Sequence, residues 1–197
     1  MRKFEDYFLD ILKIFDDKFW IEWIHDGSKP ATTNDEKIDN ILIASQTKSK
    51  HCATCMNVNG CYFPVYNMPQ MPLHYKCHCR LKKISDFDAE AVCEIGKFKN
   101  YIFIGEGDNP KKKLFESWGY LEKDSDFLRE EFEKQAKGAY ENGKFELGKL
   151  NEFGQRISIE IILKRKNMTG TVAFQSGWMV YPYGKIKLTT PYGGKIK

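Results

Sequence analysis

Residues 154–164 read Gly-Gln-Arg-Ile-Ser-Ile-Glu-Ile-Ile-Leu-Lys. Ile157, Ile159, Ile161 and Leu163 take every second position, with Ser158 and Glu160 between them. A period of two is that of a strand with one face turned to a core and the other to water. The same alternation recurs on both sides: Phe145 and Leu147 before it, then Val172 and Phe174, Trp178 and Val180, Ile186 and Leu188 after it. Gly154, Gly170 and Gly184 punctuate the runs. A series of short alternating segments separated by glycine turns predicts an antiparallel sheet of about four or five strands.

Working upstream, the period changes. Asn109-Pro110 looks like an N-cap followed by proline at the first helical position, predicting a helix through Trp118 that Gly119 stops. Asp124 or Ser125 then caps a second helix to about Tyr140, with Phe127, Leu128, Phe132 and Ala136 on its apolar face and Asn142-Gly143 as its terminating turn. Two helices followed by antiparallel strands predict an α+β domain over residues 97–197. Phe98–Ile104 reads as a strand leading into it, and residues 84–96 as a linker or short helix, which puts a domain boundary near residue 90.

The region 1–90 has a different character. Phe4, Phe8, Ile11, Leu12, Phe15 and Phe19 recur at helical spacing, so residues 3–24 read as an amphipathic helix that Gly27 and Pro30 end. Its aromatic face is expected to pack on the rest of the chain, or on a partner or like subunit in a homo-oligomer. Thr33-Asn34-Asp35-Glu36 is a capping-box pattern and predicts a short second helix. Residues 47–83 show little periodicity and read as irregular structure that needs another source of stability.

Six cysteines are present, five of them within residues 52–79. Cys52-Ala53-Thr54-Cys55 forms a two-residue-spaced chelating pair, and Cys77-His78-Cys79 follows, with His74 three residues ahead of Cys77. Thiolates and imidazole at these spacings suit a tetrahedral Zn²⁺ site. Cys52, Cys55 and Cys77 are joined by either His74 or Cys79, with Cys61 and His78 as spare donors. No glutamate adjoins the cluster as a general base, so the zinc is expected to be structural. No basic, uninterrupted apolar leader opens the chain, and no apolar run approaches the about 18–20 residues of a membrane span. Neither export through a signal peptide nor membrane association is therefore expected.

The net charge of +4 is unevenly spread. Residues 151–197 carry eight Lys or Arg against two Asp or Glu. Such a tail favours an anionic partner such as nucleic acid, or else is a solvated face. Lys111, Lys113, Lys164, Arg165, Lys166, Lys185 and Lys187 are the candidate phosphate contacts.

Cys52–Cys55, Gly60-Cys61-Tyr62-Phe63 and Pro72-Leu73-His74-Tyr75-Lys76-Cys77-His78-Cys79 together resemble the C-terminal signature of the phage Mu F-type minor-head family. The family has Pro-Asn after the histidine and Arg between the last cysteines, where this chain has Tyr75, Lys76 and His78. Lys112–Tyr120, Asn151–Ile157, Ser176–Val180 and Lys187–Tyr192 resemble a domain of unknown function that follows phage-head domains in polymorphic toxins. That resemblance implies a small nuclease of the barnase–EndoU–colicin–RelE kind. Such nucleases put a helix pair before a four-stranded sheet, often with a Thr and an aromatic residue on the last strand.

Metal-free RNA cleavage needs a base, an acid and cations for the phosphate. Lys112, Arg156, Thr190 and Tyr192 are the candidate catalytic residues. Tyr140 is a further candidate for holding phosphate, and Glu152 for the base. No histidine follows His78. The leading expectation is thus a phage or prophage minor structural protein with head or connector partners. The alternatives are a toxin-like ribonuclease and a nucleic-acid-binding regulator.

Overall fold

The computed structural model describes residues 20–25, 57–64, 66–69, 79–84, 87–104, 109–151 and 153–194. Four strands lie in the first half: β1 (Trp20–His25), β2 (Tyr62–Pro64), β3 (Cys79–Ile84) and β4 (Glu90–Val92). A π-helical turn (Phe98–Ile102), α1 (Pro110–Ser117), a short 3-10 turn (Glu122–Asp124) and α2 (Ser125–Glu141) follow. β5 (Glu146–Asn151), β6 (Gly154–Lys164), β7 (Thr171–Tyr181) and β8 (Lys185–Thr190) complete the chain. The fold is α+β, as the alternation predicts.

The five-stranded sheet has the order β4-β8-β7-β6-β5. β5 to β8 are antiparallel neighbours, but β4 joins β8 in parallel, so the sheet is mixed rather than wholly antiparallel. The inner face is the one read from the sequence: Ile157, Ile159, Ile161, Leu163, Val172, Phe174, Trp178, Val180, Ile186 and Leu188 are all buried. Trp178 Nε1 donates to Ser176 Oγ at 2.8 Å, and Ser176 donates to the Ile159 carbonyl, so the polar atoms inside this face are satisfied.

α2 covers that face. Leu128, Phe132, Ala136 and Tyr140, spaced by four, are fully buried, which suits a helix with one apolar stripe. Phe127, expected on the same stripe, is 49% exposed and stacks on Tyr120. It lies one residue, about 100° of helical turn, from Leu128. α1 begins as predicted: the Asn109 side chain accepts from the Lys111 and Lys112 amides ahead of Pro110. Gly119, at φ +86, ends the segment; a side chain there would also meet the Asn167 backbone at 2.9 Å.

Three expectations are corrected. Phe98–Ile104 is not a strand: residues 98–102 form the π-helical turn. Phe98, Ile102 and Phe103 are buried while Lys99, Asn100 and Tyr101 are exposed. So short an apolar run does not fix its own period, and packing of Phe98 on Phe132 at 5.2 Å decides it. The helix expected over 3–24 does not include residues 20–24, which belong to β1 and pair antiparallel with β2 and β3. Long-range strand pairing there overrides the local helical spacing, for which Trp20-Ile21-Glu22-Trp23-Ile24 has suitable β-formers. The segment 47–83, expected to be irregular, contains β2 and most of β3. Residues 3–19 and the capping box at 33–36 lie outside the described residues.

Contacts also cross the expected boundary near residue 90. β4, inside the expected linker, is held to α2 by Glu141 and Glu133, which accept from the Ala89 and Cys93 amides. Val58, Cys61 and Phe63 lie in the same buried cluster as α2 and the sheet. The Tyr183 amide donates to the Gly60 carbonyl and Tyr140 Oη to the Tyr62 carbonyl, at 2.8 and 2.7 Å. No helix among the described residues is long and apolar enough to cross a membrane.

Candidate functional site on the outer sheet face

Alternation that buries one face of the sheet must present the other. On β6 the outward positions are Arg156, Ser158, Glu160, Ile162 and Lys164, and on β7 they include Gln175, Gly177 and Tyr181. The register lines these up in rows: Arg156 with Met179 and Lys187, then Glu146 with Ser158, Gly177 and Thr190, then Glu160 with Gln175.

The register shifts between Gly177 and Trp178, so Thr190 stands opposite Gly177 while Leu188 stands opposite Trp178. Thr189 is the extra residue. A bulge of this kind re-aims side chains and ends regular pairing. Gly177 leaves the room: a methyl there would stand 2.8 Å from Thr190 Cγ2 and 3.2 Å from Thr189 Oγ1.

β4 pairs only with residues 185–187 of β8, so the last residues of β8 are left beside the π-helical turn. Here the polar groups converge. Lys97 Nζ donates to the Thr189 carbonyl at 3.2 Å. Lys111 Nζ donates to Tyr101 Oη and lies 4.0 Å from the ring centroid. Thr190 also hydrogen-bonds the phenol, and its own hydroxyl donates to the Tyr192 carbonyl at 3.1 Å. The hydrogen bond from Lys111 first, then its charge, with Thr190 and Lys97 adding, holds the Tyr101 phenol below the ordinary tyrosine range. These outweigh the opposing cost of partial burial. Asn109 fixes the two elements together, donating to the Ile102 carbonyl at 2.9 Å. The arrangement joins a proton-transfer group to two ammonium groups at the rim of an open sheet face.

Thr190 and Arg156, candidates from the sequence, thus lie on one face in adjacent rows. Lys111 reaches Tyr101, whereas Lys112 is half-buried and Lys113 exposed farther along α1. Tyr192 packs its ring on Phe174 at 5.8 Å, so it lends its carbonyl, not its phenol. Tyr140 is a core residue, and burial raises its phenol well above the ordinary value. Glu152 lies outside the described residues.

The basic tail is partly neutralised within the fold. Lys185 pairs with Glu90 at 2.9 Å, Lys187 with Glu94 at 2.6 Å and Lys166 with Asp124 at 2.7 Å. Arg165 Nη1 contacts the Met168 sulfur, and Lys164 is exposed on the outer face. Lys97, Tyr101, Gln175 and Gly177 were not singled out by the sequence. Tyr101 was hidden inside an apparent strand, and Gly177 gave a signal only as a glycine within an alternating run.

Cys52, Cys55, His74 and Cys77 lie outside the described residues, among which no cluster of three or more His, Cys, Asp or Glu stands ready for a metal. Cys79 opens β3, where the backbone register sets it opposite His25. Cys61 is not a suitable donor: it is fully buried, its sulfur points at the Asn57 and Val180 carbonyls, and burial pushes its thiol up to about 12. No family model, no curated protein and no solved structure matches this chain.

Proposed function

We propose that the chain is a metal-independent ribonuclease that draws single-stranded RNA across the outer face of the five-stranded sheet. The observation that carries this reading is the Tyr101 phenol, acidified by Lys111, Thr190 and Lys97 at the edge of that face. The Tyr101 oxygen, ionised, accepts the proton of a ribose 2′-hydroxyl. The 2′-oxygen bonds to phosphorus as the bond to the 5′-oxygen breaks, leaving a 2′,3′-cyclic phosphate and a free 5′-hydroxyl. The Lys97 ammonium supplies the proton to the departing oxygen, while Lys111, held on the Tyr101 oxygen, and Arg156 balance the phosphate charge. A tyrosine and lysines take the roles for which no histidine is present beyond residue 78.

The test is cleavage of a fluorescent single-stranded RNA by the purified chain, with end-group analysis of the products. Cyclic phosphate ends, loss of cleavage in Tyr101→Phe, and no cleavage of the matching DNA are expected. An RNA left intact across pH 6–10 would refute the reading.

A second reading draws on the Cys52–Cys79 segment: a phage head or connector component stiffened by structural zinc. Of that segment's cysteines, Cys79 has a described backbone position, opposite His25 in the β1–β3 register. One zinc per chain by native mass spectrometry, with assembly onto capsid proteins, would support it. A metal-free preparation that remains fully folded would count against it.

A further inference from the structure

We infer that Asn109 is a positioning residue of the Tyr101 site: its side-chain amide binds the backbones of Tyr101 and Lys111 at once, and so keeps the Lys111 ammonium on the Tyr101 oxygen. The inference rests on the ribonuclease reading for its effect on cleavage, whereas its effect on the phenol is measurable without RNA.

The bonds form a closed ring. Asn109 Nδ2 donates to the Tyr101 carbonyl at 3.3 Å and to the Ile102 carbonyl at 2.9 Å. Asn109 Oδ1 accepts from the Lys111 amide at 3.0 Å and from the Lys112 amide at 3.4 Å. Lys111 Nζ then donates to Tyr101 Oη, which brings the path back to its start. The two residues whose side chains meet are thus two whose backbones Asn109 holds. They stand 10 residues apart on different elements, and the long lysine side chain has many rotamers to lose. Fixing both backbones lowers the entropy cost of keeping the ammonium on the phenol.

The residue type points the same way. An N-cap asks only for an acceptor, and Asn, Asp and Ser supply it about equally well. Of the three, Asn alone combines that acceptor with two donors. Here both donors are directed at the end of the π-helical turn rather than at α1, which capping by itself does not require. Lys111 from α1, Thr190 from β8 and Lys97 ahead of the π-helical turn are the groups that act on the phenol oxygen. Asn109 bonds to backbone, so it acts on the phenol through Lys111.

The experiment follows the Tyr101 phenol by ultraviolet difference titration of the full chain, as wild type, Asn109→Asp and Asn109→Ser, each against its own Tyr101→Phe counterpart. RNA cleavage is then measured on the same proteins. Both variants keep an acceptor for the cap and neither can donate twice, while only one adds a charge. In both, the phenol should titrate at higher pH than in wild type, with the melting temperature little changed. Below the plateau, kcat should fall about threefold to tenfold with KM held, and the rising limb of the pH–rate profile should move up with the phenol. A raised phenol in both variants, in a chain that cleaves no RNA, would sink the ribonuclease reading and leave the positioning role standing. Cleavage with phenol and kcat unchanged in both variants would do the reverse. A shift in Asn109→Asp alone would assign the effect to the added charge and overturn the inference. Activity lost only in step with folded protein, with the phenol of the folded fraction unmoved, would make Asn109 a cap and nothing more, and would overturn it as well.

Discussion

The two faces of the five-stranded sheet are built from the same strands, residue by alternate residue, yet they do different work. The inner face is a continuous apolar layer: Ile159, Ile161, Phe174 and Trp178 are closed against α2 and its aromatic neighbours. The outer face carries Arg156, Ser158, Glu160, Gln175 and Thr190, a bulge, and buried polar atoms without partners. Native structures seldom leave buried polar groups unpaired in the interest of stability. The contrast teaches that stability is concentrated on one side of the sheet, which leaves the other free to carry polar and charged groups. Substitutions can therefore separate the two roles.

The largest effect is expected at the inner face. Trp178→Ala removes a fully buried ring and leaves Ser176 Oγ without its donor. It should cost about 3–5 kcal/mol in denaturant unfolding. A loss below about 1 kcal/mol would mean that this face is not the main source of stability.

Tyr101→Phe should do the opposite, lowering cleavage by about 10²-fold or more with little change in melting temperature. The pH–rate profile sharpens this. Because the folded phenol lies below its ordinary value of 10.0, the rate should climb with pH and level off before that value. Lys111→Met should move the rising limb upward, since it removes the main cause of the shift. A profile that is the same in wild type and Lys111→Met would remove Tyr101 from the chemistry.

Gly177→Ala sits between the two roles. The new methyl displaces Thr190 or bends the bulge, at about 1–2 kcal/mol in stability. It should also slow cleavage by roughly the tenfold expected when a positioning group is moved by a fraction of an ångström. Unchanged turnover would show that the Thr190 placement is incidental.

The smallest expected effect lies away from both faces, at Asp124. It accepts from the Leu121 amide at 2.9 Å and from Lys166 at 2.7 Å. Burial raises its carboxyl, but the Lys166 and Leu121 hydrogen bonds outweigh this and hold it below the usual 3.8. A depressed folded value adds stability above the unfolded pKa, and that stability is lost as pH falls through the folded value. Asp124→Asn should therefore cost about 1 kcal/mol near pH 7. The gap from wild type should begin to narrow below about pH 4 and close once the pH has fallen through the depressed folded value, which acid titration of both proteins would measure.

Comparison of the two sheets shows which features were legible in the chain. In β6 to β8, every apolar residue read from the period of two is buried, and the Asn109-Pro110 cap stands where it was expected. These signals are local, because burial of one face dictates alternation within a single strand. In β1, Trp20–His25 gave no comparable signal, since its partners are 40 or more residues away and the aromatic spacing before it suited a helix. Tyr101 was likewise illegible: its surroundings depend on a π-helical turn, on Lys111 from the next helix and on Thr190 from the last strand.

The amino-acid sequence by itself determined the α+β class, the helix pair and the inner face of the sheet. Only the tertiary structure decided the mixed sheet, the bulge that sets Thr190 over Gly177, and the meeting of Lys97, Tyr101 and Lys111. The physical reason is range. Periodicity and caps are imposed by neighbours within a few residues, whereas a site is assembled by contacts between segments that no local pattern relates.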